Sequence, residues 1–356
     1  MKNRFEKLFD LLPQNIDCVL ITSDINRRYF TGMKSSAGTV IAFRDKAYLI
    51  IDFRYIEKAH ETVKDAEVIK QNKLFPQLKE LIEKHSASNI AIEAQNVTVS
   101  ELNQYKKFFK NIEINDTDML SNMINSLREV KDEFEIECIE KAQQIAEAAF
   151  ENILGFIKEG VTEKEIALEL DRCMLKNGAE SLSFETIALA GANTSMPHGV
   201  PSDKTVKNGE FVLMDFGAVY NGYHSDMTRT VCVGKPTDEM ENVYNIVLNA
   251  QCECLEKATA GMSGSELDRI ARNIISDSGY GECFGHALGH GVGMEIHEKP
   301  IAAPSAKEIL KSGNVVTVEP GIYLAGKFGV RIEDFVILTE NGNTNLTKCE
   351  KNIISL

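Results

Sequence analysis

Along the first third of the chain, short apolar runs alternate with stretches whose apolar residues recur at helical spacing. Residues 18–22, 39–43 and 47–51 read as strands, with Arg44-Asp45-Lys46 turning between the last two. Segments 66–69, 90–92 and 112–114 continue the series, and helical patterns fall at about 74–85 and 99–110. That alternation predicts a small α/β layer. A break follows over 116–130. The pattern then becomes helical over about 132–157, with Ile139, Ala142, Ala146, Ala149 and Ile153 on one face. Gly160 closes it. Thr162 and Glu165 form a capping box for a following helix that buries Ile166, Leu170, Cys173 and Met174. Ser263 and Glu266 repeat that signature before another helix, while 184–233 and 314–339 read as strands. The expectation is an α+β chain with a smaller α/β domain over 1–122 and a larger one over 123–356.

Composition narrows the function classes. The chain has 356 residues and a formal net charge of −14, which argues against a nucleic-acid binder, since that would need a basic stripe. No run approaches the ~18 apolar residues of a membrane span, and the amino-terminal residues lack the apolar core of a signal peptide. Eight scattered cysteines without a CxxC pair suit a reducing compartment. A cytoplasmic protein with no nucleic-acid or membrane partner is expected.

The chemistry starts in "MDFGAVYNGYHSDMTRT", residues 214–230. Asp215 interrupts an apolar run, and Asp226 does the same on the return. Asn221-Gly222 favours a two-residue type I′ hairpin turn. With Tyr220 facing Tyr223, Asp215 faces Thr228 and Asp226 faces Gly217. Alternation of side chains then places both aspartates on one face as diagonal neighbours, roughly 7–8 Å apart at Cα. Two carboxylates that close repel, so one takes up a proton or a cation sits between them. Two solvent-facing aspartates on an edge hairpin fit the same pattern. A second apolar hairpin, 315–338, carries Glu319 and Glu333. A return near Gly326 sets them opposite each other, with Arg331 on the face of Glu333.

Five of the seven histidines lie between 198 and 297, and His286, His290 and His297 fall within twelve positions of a glycine-rich stretch. Acids and clustered imidazoles together favour a site. The spacing is not that of an HExxH zinc helix.

These residues resemble the pita-bread metallopeptidases: Xaa-Pro aminopeptidases, Xaa-Pro dipeptidases (prolidases) and methionine aminopeptidases. The family pattern of a DFG aspartate, an SDxTRT aspartate, a GHGxG histidine, an EPG glutamate and an RxED glutamate is met by Asp215, Asp226, His290, Glu319 and Glu333. His198 in PHG, His286 in GHxxGHG and His297 match as well. Residues 26–32 and 52–55 resemble the amino-terminal domain of the proline-specific branch, which methionine aminopeptidases typically lack. The resemblance implies a pita-bread catalytic domain preceded by a smaller, creatinase-like α/β domain.

It also implies two divalent ions held by Asp215, Asp226, His290, Glu319 and Glu333. Mn²⁺ is the first expectation and Co²⁺ or Zn²⁺ the alternatives, because the donors are mainly hard oxygens. By the same similarity Glu319 is the general base, and His198 and His297 bind the carbonyl and its oxyanion. His286 serves the proline side, and Arg331 orients carboxylates. Phe184, Tyr223 and Ile296 are candidates for the proline slot. The implied activity is removal of the first residue from proline-containing peptides with proline second, by a homodimer. A dipeptide-restricted prolidase is the alternative. A non-catalytic binding protein on the same fold and a metal-free creatinase-like hydrolase are weaker readings.

Overall fold

In the first third of the chain the apolar runs pair into one six-stranded mixed sheet. The computed structural model describes residues 3–356. The strand order is Glu67–Lys70, Ala47–Ile51, Thr39–Phe43, Cys18–Ile21, Asn89–Ile92 and Glu113–Asn115. Thr39–Phe43 runs antiparallel to both neighbours, and the other pairings are parallel. Four of these strands carry almost no exposed residue, as a sheet covered on both faces requires. Helices Leu74–Lys84 and Val99–Phe108 bury Leu78, Leu81, Ile82 and Tyr105 against it.

The expected break at 116–130 is largely a helix, Met119–Glu129, with Leu120 and Ile124 fully buried. Its polar Ser and Asn residues hide the apolar spacing. The chain divides into Met1–Arg128 and Glu129–Leu356, so the expected 122/123 boundary falls inside that helix.

The second unit holds two helix pairs, each lying on strands. Glu133–Leu154 and Glu163–Lys176 pack on the strands of the first acidic hairpin through Ile145, Ala149, Ile166, Leu170, Val212 and Met214. Asp238–Lys257 and Gly264–Asp277 pack on the strands of the second through Val243, Val247, Leu267, Ala271, Val316 and Val336. The second helix of each pair opens on the capping box expected for it, at Thr162 and Ser263. Asp238–Lys257 is not anticipated from the pattern. Its Met240, Val243, Tyr244 and Val247 keep helical spacing, but the interleaved acids and amides blur it.

Candidate active site

Two hairpins supply the acids, and both are broken midway. In the first, Glu210–Phe216 pairs with Met227–Val233, and Asp215 faces Thr228 as the turn chemistry predicts. The tip, Ala218–Tyr220 and Tyr223–His224, keeps the same register, with Tyr220 facing Tyr223. Asn221 and Gly222 take φ of 50° and 85°, the left-handed pair that a type I′ turn demands. The tip has left the first sheet to join Ser181–Leu182. Asp226 lies at that changeover.

The second hairpin repeats the device. Val315–Val318 pairs with Asp334–Thr339 in one sheet, and Gly321–Leu324 with Phe328–Arg331 in another. Glu319 and Glu333 sit in the gap. Their amides bond elsewhere, Glu319 to the Leu288 carbonyl and Glu333 to the Thr228 carbonyl. The second of these bonds ties the hairpins together.

His290 arrives on Gly289–Gly291, between Glu298–Ala302 and Val315–Val318. Its flanking glycines are dictated by space. A Cβ on Gly289 would lie 2.0 Å from the Thr317 carbonyl oxygen, and one on Gly291 2.3 Å from that of Lys299.

The side chains converge. Asp226, His290 and Glu333 each offer an atom within 4.8 Å of the other two. His290 Nε2 is 3.6 Å from Asp226 and 3.4 Å from Glu319. His290 Nδ1 lies 3.1 Å from the Gly291 carbonyl. A carbonyl only accepts, so Nδ1 carries the proton and Nε2 turns its lone pair to the acids, the usual arrangement of a ligating imidazole. Burial lowers His290 to about 4, so the ring is neutral near pH 7.

Asp215 receives Arg331 Nη2 at 2.7 Å, and Glu333 receives the Thr228 hydroxyl at 2.7 Å. Their other oxygens, Asp215 Oδ1 and Glu333 Oε1, are buried without any hydrogen-bond partner. Burial raises Asp226 and Glu333 well above the usual carboxylate range, with Asp215 and Glu319 adding repulsion. Burial also pushes Glu319 up to about 8; Arg331 opposes this and Asp215 reinforces it. Unpaired buried oxygens on mutually repelling acids, beside a neutral imidazole, fit a divalent cation site, because cations would neutralise what the protein leaves uncompensated.

Arg331 binds three side chains at once. Its Nε donates to Thr228 at 3.0 Å, Nη1 to the Tyr323 hydroxyl at 2.9 Å and Nη2 to Asp215. Burial would lower its pKa, but Tyr323, Asp215 and Glu319 outweigh this and hold it well above normal. Tyr323 in turn meets His286 Nε2 at 2.9 Å. His286 Nδ1 donates to the Ala287 carbonyl at 2.8 Å, so Nε2 accepts from the tyrosine. Burial and then Arg331 lower His286 to about 4.

A cavity of about 400 Å³ opens on these groups, lined by Phe184, Ile187, Pro197, Ala287 and Ile296 together with the acids and histidines. That size suits a small ligand.

Residues 137–340 match the model of metallopeptidase family M24, and residues 4–130 match the creatinase/prolidase N-terminal domain. The chain belongs to family M24. The M24 chain is 41% identical to an Xaa-Pro dipeptidase of Pyrococcus furiosus, over 99% of this chain and all of that one. Among solved structures it resembles an Xaa-Pro dipeptidase from Bacillus anthracis, with TM-score 0.95, 40% identity and 99% of each chain covered. It also resembles an X-Pro aminopeptidase from Thermotoga maritima, with TM-score 0.91, 39% identity and both chains fully covered. The fold is therefore the pita-bread fold of the proline-specific branch, behind a creatinase-like first domain, and the protein is a metallopeptidase of divalent-metal chemistry.

Within this metallopeptidase the structure gathers Asp215, Asp226, His290, Glu319, Glu333, His198, His286, His297, Arg331, Phe184 and Ile296 around one cavity. Tyr223 is not among them. Its ring is buried at the hairpin tip, and its hydroxyl donates to Glu135 at 3.0 Å. The tip joins a different sheet, and that carries Tyr223 to the helix Glu133–Leu154. The sequence reading missed Tyr323 and Glu185. Tyr323 had a signal: alternation puts it on the face of Glu319 and Gly321, across from Gly329. Glu185, which lines the cavity itself, had none.

Proposed function

We propose that this metallopeptidase hydrolyses Xaa-Pro peptide bonds, releasing the first residue of peptides with proline second. The observation that carries the reading is the convergence of four acids and one imidazole, with two buried oxygens unpaired, on a cavity with an apolar wall. Phe184, Ile187, Pro197 and Ile296 offer that wall. A pyrrolidine ring, which has no N–H to satisfy, suits it. The names of the relatives above support the same bond.

Asp215, Asp226, His290, Glu319 and Glu333 would hold two divalent ions, Mn²⁺ first among the candidates, since a mainly oxygen donor set favours a hard ion. Such ions supply Lewis acidity toward the scissile carbonyl and the attacking water. Glu319, placed by the Thr317 hydroxyl at 3.2 Å, takes the proton of that water and returns it to the leaving nitrogen. His198 and His297 face the cavity and donate to the carbonyl oxygen as charge develops on it. Arg331 fixes Asp215.

Preference for longer peptides over dipeptides rests on the lining. It contains no lysine, and its one arginine, Arg331, has every nitrogen engaged. Among the described residues of the wall, no lysine and no unengaged arginine is left to receive a dipeptide's carboxylate. Ala-Pro-Ala should therefore exceed Ala-Pro in kcat/KM with Mn²⁺ present. Turnover of Ala-Pro alone would make the protein a dipeptidase. No cleavage of any proline peptide with Mn²⁺, Co²⁺ or Zn²⁺ would remove the reading.

A further inference from the structure

We propose that Glu163 is a positioning residue that sets His198 against the cavity by clamping both ends of the segment that carries it; this rests on the peptidase reading above. Glu163 is fully buried. One of its oxygens accepts from the Ala190 amide at 2.8 Å and from Asn193 Nδ2 at 2.9 Å. The other accepts from the amide and hydroxyl of Ser202 at 3.0 and 2.6 Å. Residues 191–201 run between these anchors and include Pro197 and His198, which line the cavity.

A buried carboxylate is costly unless its lone pairs are filled, and here four donors fill them. The helix Glu163–Lys176 does not need this group as a cap. Thr162 and Glu165 already complete its capping box. The carboxylate is therefore committed to the 191–201 segment.

His198 shows why that matters. It is exposed, and its ring makes no hydrogen bond or ring contact with any described residue. No side-chain contact holds the ring, so the backbone sets the point from which the imidazole reaches the cavity. On the cavity side the segment is tied by the Gly329 amide to Thr194 at 2.7 Å, and by Arg331 to the Pro197 carbonyl at 3.4 Å. Glu163 supplies the opposing hold.

Glu163→Gln tests the clamp, because all four partners present hydrogens and an amide nitrogen would face one pair of them. The variant keeps its volume and frees one end of the segment. Hydrogen exchange across 191–201 should speed up, with or without substrate, while bound Mn²⁺ stays at the wild-type level. On Ala-Pro-Ala, kcat/KM should fall by about 10- to 100-fold, the scale of an ångström's misplacement. In a His198→Ala background the same change should cost less than about twofold, because coupled residues are not additive. Unchanged exchange, or an equal loss in both backgrounds, would overturn the proposal. A wild-type protein inactive on proline peptides would overturn the peptidase reading and leave the exchange result to decide the clamp. If Glu163→Gln does not fold, Ser202→Ala removes one donor, and full activity with unchanged exchange there would overturn the clamp.

Discussion

Asp215 Oδ1 and Glu333 Oε1 are the residue-scale mark of this site, since each is buried without a partner. Asp226 shares their repulsion, its pKa raised by burial, Glu333 and Asp215. Asp226→Asn removes a donor. Loss of an outer partner alone typically costs 10- to 100-fold, so metal affinity and turnover should both fall by at least about 100-fold, read by metal analysis and peptide assay. His297 stands 4.4 Å from His290, ring to ring, and lines the cavity. His297→Ala should keep the metal and lose about 10²- to 10³-fold in kcat, the scale of one oxyanion donor. A variant emptied of metal would instead make His297 part of the ligand set. The acids were legible as single letters because a carboxylate inside an apolar run is anomalous. Tyr223 was misplaced because its type fits a slot and a core equally well, and only the sheet change after Gly217 separates the two.

At the scale of elements, both hairpins keep one register through a change of sheet, and three of the four acids sit where the change occurs. Turn chemistry fixed the first register: Asn221-Gly222 allows few alternatives, and one residue of slip would turn Asp215 away from its partners. The helices Met119–Glu129 and Asp238–Lys257 were not legible, because their polar content is high and their helical state rests on tertiary packing of a few apolar positions. The glycines around His290 were visible, but the reason for them was not. Gly289→Ala sets a Cβ against the Thr317 carbonyl and should push the His290 strand from the strand leading to Glu319. A loss of about 1–3 kcal/mol is expected from overpacking, with weakened Mn²⁺ binding, measured by denaturation and metal titration.

For the molecule as a whole, the buried acids link metal to stability. Glu319 is raised to about 8, and Asp226 and Glu333 are raised too. The metal-free native state thus keeps protons that the unfolded chain releases near 3.8 from Asp226 and near 4.5 from the glutamates. The stability that Glu319 contributes is greatest below 4.5 and is lost as pH rises through about 8, and Asp226 and Glu333 act in the same direction. His286 and His290, lowered to about 4 from 6.5, act the other way, costing stability only as pH falls from 6.5 to 4. Between 6.5 and 8 these two histidines no longer oppose Glu319. The melting temperature of EDTA-treated protein should fall across that window, while Mn²⁺ restores it by an amount that grows with pH. A constant gap would show that the acids are not held protonated.

The sequence by itself determined the residue types and their spacing along the chain: five candidate ligands, the turn that aligns the first pair, and the caps that start the helices. These are local facts, set by steric rules and by hydrogen bonds a few residues long. Only the tertiary structure decided which cavity wall each side chain faces, that Tyr223 leaves the site and Tyr323 enters it, and that Glu163 grips the segment bearing His198. Those outcomes depend on where a strand changes sheets and on which buried donors meet a carboxylate from a distant helix, and no local pattern encodes either.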